Sequence, residues 1–392
     1  MLEKIIEWWG NLNNAERIAI IVPVGIFIIG GIAKEIWDRA KKRGGDCPGE
    51  ITVDDSQKIE HVKAKTVTTI QGSSLDRSRR EAGGVYIENI EKGANVVINV
   101  PPATPVDYQD GVRESAVPEV RQLFEAGWGH VTKREFREAI GVFESCLGLE
   151  KDSEKRGAIN IQLGNCYYYL RRYVEAAEIY GDGLKEAQKA NDKEGQGSAL
   201  LGIGNTFYLR PSDDGAKRDE NIREAVGYYN KALKFFTKDE YRAQYAGTQN
   251  NLGLAYTDLP SATSEERTEN VRRAIECYKA ALEIYKKDEY PVDYAMTQNN
   301  LGTAYTDLPS ATAEERAGNV RRAIACYEAA LEITRKDEYP HYYCETAMNL
   351  GMVLVNIDKA KACYWLKEAY SLREFLPDQG KRLEGIIERV CE

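Results

Sequence analysis

Few side chains in this 392-residue chain are spaced for covalent chemistry. The three histidines (His61, His130, His341) and eight cysteines include no CxxC pair and no spacing that would gather zinc ligands. His341 and Cys344 stand at i and i+3, near enough on a helix for a thiol-imidazole dyad, but no neighbour in sequence would orient the imidazole or hold an oxyanion. There is no P-loop, nucleophile elbow, HExxH helix or dinucleotide glycine fingerprint. The expectation is therefore a non-enzyme with no cofactor and no metal. What the chain does offer is amide chemistry. Asn251, Asn300 and Asn349 each precede a Leu-Gly pair, and Gln162 holds the equivalent place upstream. Asn250 and Asn299 stand one residue earlier, and Asn165 and Asn205 one turn later. A side-chain amide carries both a donor and an acceptor, which suits the backbone of an extended peptide. The same amides could equally tie neighbouring helices together.

The elements that would position these amides repeat. The 47 residues from Tyr245 return from Tyr294 with 38 identities, a shift of 49 residues. An earlier copy keeps the register, with Gly204 against Gly253, Asn221 against Asn270 and the KDEY at Lys238 against that at Lys287. A later copy begins at Asn349. Each unit reads as two helices. Leu252, Gly253 and Tyr256 share one face of the first, and Ala274, Ile275, Tyr278, Ala281 and Leu282 one face of the second. Small residues let the backbones approach while tyrosines fill the gaps. Between the paired helices runs an insert, DLPSATSEERTEN in the fourth copy. Pro260 ends the first helix, and Thr263 with Glu266 offers a capping box for the second. Upstream, Leu163, Gly164, Tyr167, Ala176, Tyr180 and Gly183 give a second repeat, and Gly127, Ala139, Phe143 and Cys146 a degenerate first. A shortened sixth is expected around Gly351, Cys363 and Tyr364. Cys277 and Cys326 read as small hydrophobes, and Leu383, Ile386, Ile387 and Val390 as one face of a capping helix.

The L-G-x-x-Y and A-x-x-x-[FY]-x-x-A patterns resemble the tetratricopeptide repeat (TPR) family. The longer unit, with TQNNLG, DLP and an N-[VL]-x-R-A-I helix start, is similar to TPR arrays found beside CHAT peptidases and in kinesin light chains. The resemblance implies an all-α helical-hairpin solenoid of about six repeats over 118–376, closed by a capping helix at 377–392. It also implies a superhelix lined by the first helices and a protein or peptide ligand in its concave groove. In the kinesin light chain type, asparagines at the place of Asn251, Asn300 and Asn349 clamp the ligand backbone. The chaperone-tail type needs lysine and arginine on the first helices, where this chain has Ile161, Leu201, Asn250, Asn299 and Met348. Arg272, Arg273, Arg321 and Arg322 are expected on the outer face, paired with glutamates of the insert.

The amino-terminal third differs. The segment 18–33 is uncharged and apolar, and extending it to 17–37 gives about 31 Å of helix, enough to cross a bilayer. Trp8, Trp9 and Trp37 would lie at its interfaces, and the basic cluster Lys34, Arg39, Lys41, Lys42 and Arg43 follows it. A transmembrane anchor over 1–43 is the expectation, single-pass, with the carboxy-terminal bulk in the cytoplasm. Reduced cysteines would agree with that side. Residues 44–110 turn to Val, Ile and Thr with Gly and Pro breaks, which predicts a small β-rich segment. The net charge of -9 argues against a nucleic-acid partner. Together these read as a membrane-anchored adaptor that recruits a protein or peptide. The alternatives are a homo-oligomeric ring, cage or filament built through the amino-terminal helix and β segment, or a regulatory subunit of a separately encoded peptidase or signalling enzyme.

Overall fold

The computed structural model describes residues 112–375 and 380–391. All of these residues belong to one compact unit. The expected anchor at 17–37 and the β-rich segment at 44–110 lie outside the described residues. No described helix is long and apolar enough to cross a membrane.

The described residues form thirteen α-helices and no strand. Six hairpins follow one another: α1 (Pro118–Thr132) with α2 (Phe136–Leu149), α3 (Ser153–Tyr169) with α4 (Tyr173–Ala190), and α5 (Lys193–Leu209) with α6 (Gly215–Ala232). Then come α7 (Arg242–Asp258) with α8 (Ser264–Leu282), α9 (Pro291–Asp307) with α10 (Ala313–Leu331), and α11 (Pro340–Leu354) with α12 (Lys359–Tyr370). The last helix is α13 (Gly380–Cys391). Each second helix packs on the next first helix, and from α3 onward each first helix also touches the first helix of the next repeat. One face of the first helices is thereby shared along the array.

The hairpins close through a repeated lock. A Cβ built on Gly253 would lie 2.6 Å from the Tyr278 ring, and Gly164, Gly204 and Gly302 stand equally close to Tyr180, Tyr229 and Tyr327. In the first repeat Phe143 fills the same hole over Gly127. Burying each such ring stabilises by about 2 to 3 kcal/mol, and only a missing Cβ allows it. The expected register of the sixth repeat is corrected: Leu366 covers Gly351, with Ala362 and Ala369 beneath it, while Tyr364 is 57% exposed. The spacing Ala362, Leu366, Ala369 matches Ala274, Tyr278, Ala281, and the eye is misled because the aromatic residue lies two positions away.

The insert serves the hairpin turn. Gly164 and Tyr180 are 16 residues apart, whereas Gly253 and Tyr278 are 25 apart. The extra residues form the turn and the start of α8. Thr263 Oγ1 accepts from the Glu266 amide at 3.1 Å, while the Glu266 carboxylate accepts from the Ala262 amide at 2.7 Å, one residue outside a strict capping box. Thr312 and Glu315 repeat this in α10. Arg218 and Arg267 donate to the carbonyls of Tyr208 and Thr257, satisfying acceptors left open at the ends of first helices. Arg273 pairs with Glu269 of the insert at 2.9 Å, as expected.

Between repeats the KDEY turns make a second ladder. Lys238 meets Glu283, Lys287 meets Glu332 at 2.6 Å, and Lys336 meets Glu368 at 3.0 Å. These pairs are exposed and screened by solvent, so their main effect is on register. At the end of the array, Leu383 and Val390 of α13 are buried, and Ile386 and Ile387 pack against the same core. A Cys363–Cys391 disulfide ties this helix to α12. That pairing corrects the expectation of free thiols and removes these two cysteines as support for a reducing compartment. Pairing needed α12 and α13 to bring Cα atoms within 5.4 Å, which sequence spacing does not reveal.

Candidate functional site

The amides singled out above gather on the face shared by the first helices. Asn251 Nδ2 donates to Asn205 Oδ1 at 3.0 Å, Asn300 Nδ2 to Asn250 Oδ1 at 3.2 Å, and Asn349 Nδ2 to Asn299 Oδ1 at 3.1 Å. Each bond crosses from one repeat to the preceding one. The first rung differs because Leu201 stands where Asn250 and Asn299 stand later, so Asn251 reaches one turn further, to Asn205. Asn250, Asn251 and Asn299 are buried, whereas Asn300 and Asn349 are half-buried.

Asn165 and Asn205 do a different job. Tyr180 Oη donates to Asn165 Oδ1 at 2.5 Å and Tyr229 Oη to Asn205 Oδ1 at 2.9 Å, so these amides satisfy the hydroxyls of the locking tyrosines. Thr303 meets the Tyr327 hydroxyl at 3.2 Å from the same position. Where the lock is Phe143 or Leu366, with no hydroxyl, that position holds Trp128 or Met352. In the fourth repeat it is Leu254, and the hydroxyl of Tyr278 is served by Thr257 instead. Asn165 Nδ2 also donates to Gln162 Oε1 at 3.2 Å. Gln162 Nε2 and Asn251 Oδ1 are buried polar atoms without a hydrogen-bond partner.

One charged residue enters this face unforeseen. Glu345 on α11 occupies the position held by Ala158, Ser198, Gly247 and Met296 in the four preceding repeats. That exchange of a small or apolar residue for a carboxylate was the available signal. Its Oε1 accepts from Asn299 Nδ2 at 3.3 Å. Burial pushes its carboxyl up to about 7, with the Asn299 bond opposing the shift. A recess of about 10 Å³, room for one water, lies beside it, lined also by Met296, Asn300, Thr334, Tyr342 and Thr346.

The thiols carry no activation. Burial pushes Cys166 and Cys277 up to about 12 and Cys146 and Cys326 up to about 11, so they stay protonated near neutrality. Cys344 donates to the carbonyls of Ala369 at 3.2 Å and Leu372 at 3.5 Å, which directs its thiol toward backbone acceptors rather than into a dyad. Among the described residues no three His, Cys, Asp or Glu side chains are grouped to hold a metal.

The glycine-tyrosine locks and the shared first-helix face define an array of stacked helical hairpins. No protein-family model matches the chain, and no curated protein matches it. Among solved structures it is similar to BtubC from P. vanneervenii, at 20% identity over 69% of this chain and 93% of that one, TM-score 0.41. It is similar also to YrrB, described as a TPR protein with an unusual peptide-binding site, at 16% identity over 63% and 97%, TM-score 0.39. A Rap protein complexed with competence and sporulation factor aligns at 13% identity over 72% and 76%, TM-score 0.43.

Proposed function

We propose that this chain is a binding scaffold whose shared first-helix face, centred on α7, α9 and α11, holds an extended peptide segment of a partner protein. The observation that carries this reading is the preset orientation of Asn300 and Asn349. Each commits Nδ2 to the preceding repeat, and each stays half-buried, so Oδ1 is held as an acceptor for a ligand backbone N–H without further loss of rotamer freedom. Buried amides cost about 1 to 3 kcal/mol where unsatisfied, and a row of them is a poor way to glue helices that leucines would join better. The polar face therefore fits recognition.

The test is selection of twelve-residue peptides from a random phage library against the full chain in mild detergent, followed by calorimetric titration of the winners. Micromolar binding that weakens tenfold or more in the Asn300→Ala/Asn349→Ala double variant supports the reading. Failure to enrich any peptide over bare support, or equal binding by the double variant, overturns it. The apolar run at 18–33 supports placing this scaffold at a membrane, and the basic cluster Lys34, Arg39, Lys41, Lys42 and Arg43 supports the array on the cytoplasmic side. Sodium carbonate extraction of membranes tests that placement, and release of the chain into the soluble fraction would end it.

A further inference from the structure

We propose that the recess beside Glu345 takes a primary ammonium group of the bound peptide, either a lysine side chain or the amino terminus. This deepens the scaffold reading and rests on it. Three of its lining residues present acceptors toward one small space. Glu345 offers a carboxylate that receives only the Asn299 amide from α9. Asn300 has given Nδ2 to Asn250, which leaves Oδ1. Thr334 donates its hydroxyl to the Ala330 carbonyl at 3.0 Å, which leaves its oxygen lone pairs. Three acceptors around one water-sized space match an ammonium, which has three donors and no acceptor.

Size and charge select the same occupant. An ammonium head is compact and close to a water in size, while a guanidinium is a wider planar fork. A carboxylate or phosphate would face Glu345 with no cation among the lining residues. A divalent metal lacks ligands, since no three acidic, thiol or imidazole side chains gather among the described residues. No cation stands among the lining residues to meet the Glu345 carboxylate, and an ammonium would supply one. The position is specific to the sixth repeat, so the recess would fix the register of a peptide along an otherwise repetitive face.

Met296 lines the recess and is one of only four methionines, so its methyl group is a local reporter. The full chain, labelled with ¹³C-methyl methionine and held in mild detergent at pH 7.5, is titrated with n-butylamine hydrochloride, alaninamide, n-butylguanidinium, n-butanol and potassium chloride. The expected result is a saturable shift of the Met296 methyl resonance with n-butylamine or alaninamide, at least tenfold weaker with the guanidinium and the alcohol, and absent in Glu345→Gln. A stronger response to n-butylamine assigns the lysine side chain, and a stronger response to alaninamide the amino terminus. Dispersed Met348 and Met352 resonances in Glu345→Gln show that the variant is folded. No saturable shift, an equal response to guanidinium or butanol, an equal response to potassium, or a shift retained in folded Glu345→Gln each overturns the proposal. Library peptides that bind without any effect of blocking their amines overturn the recess and leave the scaffold reading standing. Amine binding with no peptide ever selected supports the recess and overturns the scaffold reading.

Discussion

Glu345 shows how one side chain can set a pH response on a face that is otherwise neutral. Its carboxyl is held at about 7 against an ordinary 4.5, so the folded chain binds its proton more tightly than the unfolded chain does. A raised carboxyl contributes stability that is fully present below about pH 4.5 and is lost as pH rises through 7. The full loss is about 3 kcal/mol. Nearby charges come from Asp293 on α9, which acts on Tyr342, and from Lys336, which acts on Cys344; His341 lies one turn earlier on α11. The melting temperature should therefore fall between pH 5 and 8, and Glu345→Gln should flatten that slope and raise the value at pH 8. Circular dichroism melts across that range check both, and an unchanged slope in the variant would assign the titration to another group.

Within the hairpin, the lock between a glycine and a ring decides stability. Changing Gly253 to Ala favours the helix by about 1 kcal/mol, yet the new methyl would sit 2.6 Å from a Tyr278 ring that is 1% exposed and has nowhere to move. Overpacking of this kind costs about 1 to 3 kcal/mol or more, so packing outweighs propensity and Gly253→Ala should lower the urea midpoint. Gly227, whose added Cβ meets nothing within 4 Å, provides the control, and Gly227→Ala should raise the midpoint slightly. At the last helix the Cys363–Cys391 link closes a loop of sequence separation 28, which by chain entropy contributes about 3 to 4 kcal/mol. Reduction should release α13 without unfolding the array. Hydrogen exchange should then rise over 380–391 and on the α12 surface beneath it, while α3 to α9 stay protected. A global rise would mean that the cap holds the whole array.

Across the array, nearly all contacts are between neighbours, so its stability is close to a sum of repeat and interface terms. Deleting residues 245–293 removes one full period and leaves every junction chemically familiar. Asn300 would then meet Asn205 as Asn251 does now, and Lys238 would meet Glu332 in place of Glu283. The shortened chain should keep its helical content per residue and lose stability by about one repeat's share, read by circular dichroism and urea titration. Loss of cooperative unfolding would show that the array is not modular.

The sequence by itself determined the repeat, the helix pairing and the glycine-tyrosine lock, because periodicity and residue size act locally and recur every 49 residues. It also marked the capping helix through the single apolar face of Leu383, Ile386, Ile387 and Val390. It misread the sixth repeat, where an exposed tyrosine near the expected place outweighed the leucine in register. Tertiary structure alone decided which amides serve the tyrosine hydroxyls and which bridge repeats, since Asn205 and Asn251 lie 46 residues apart and meet only once first helices stack. The same holds for the Cys363–Cys391 bond and for the recess at Glu345. An amide, a thiol or a carboxylate has the same chemistry everywhere in a sequence, and only its partners and its burial in the folded array give it a role.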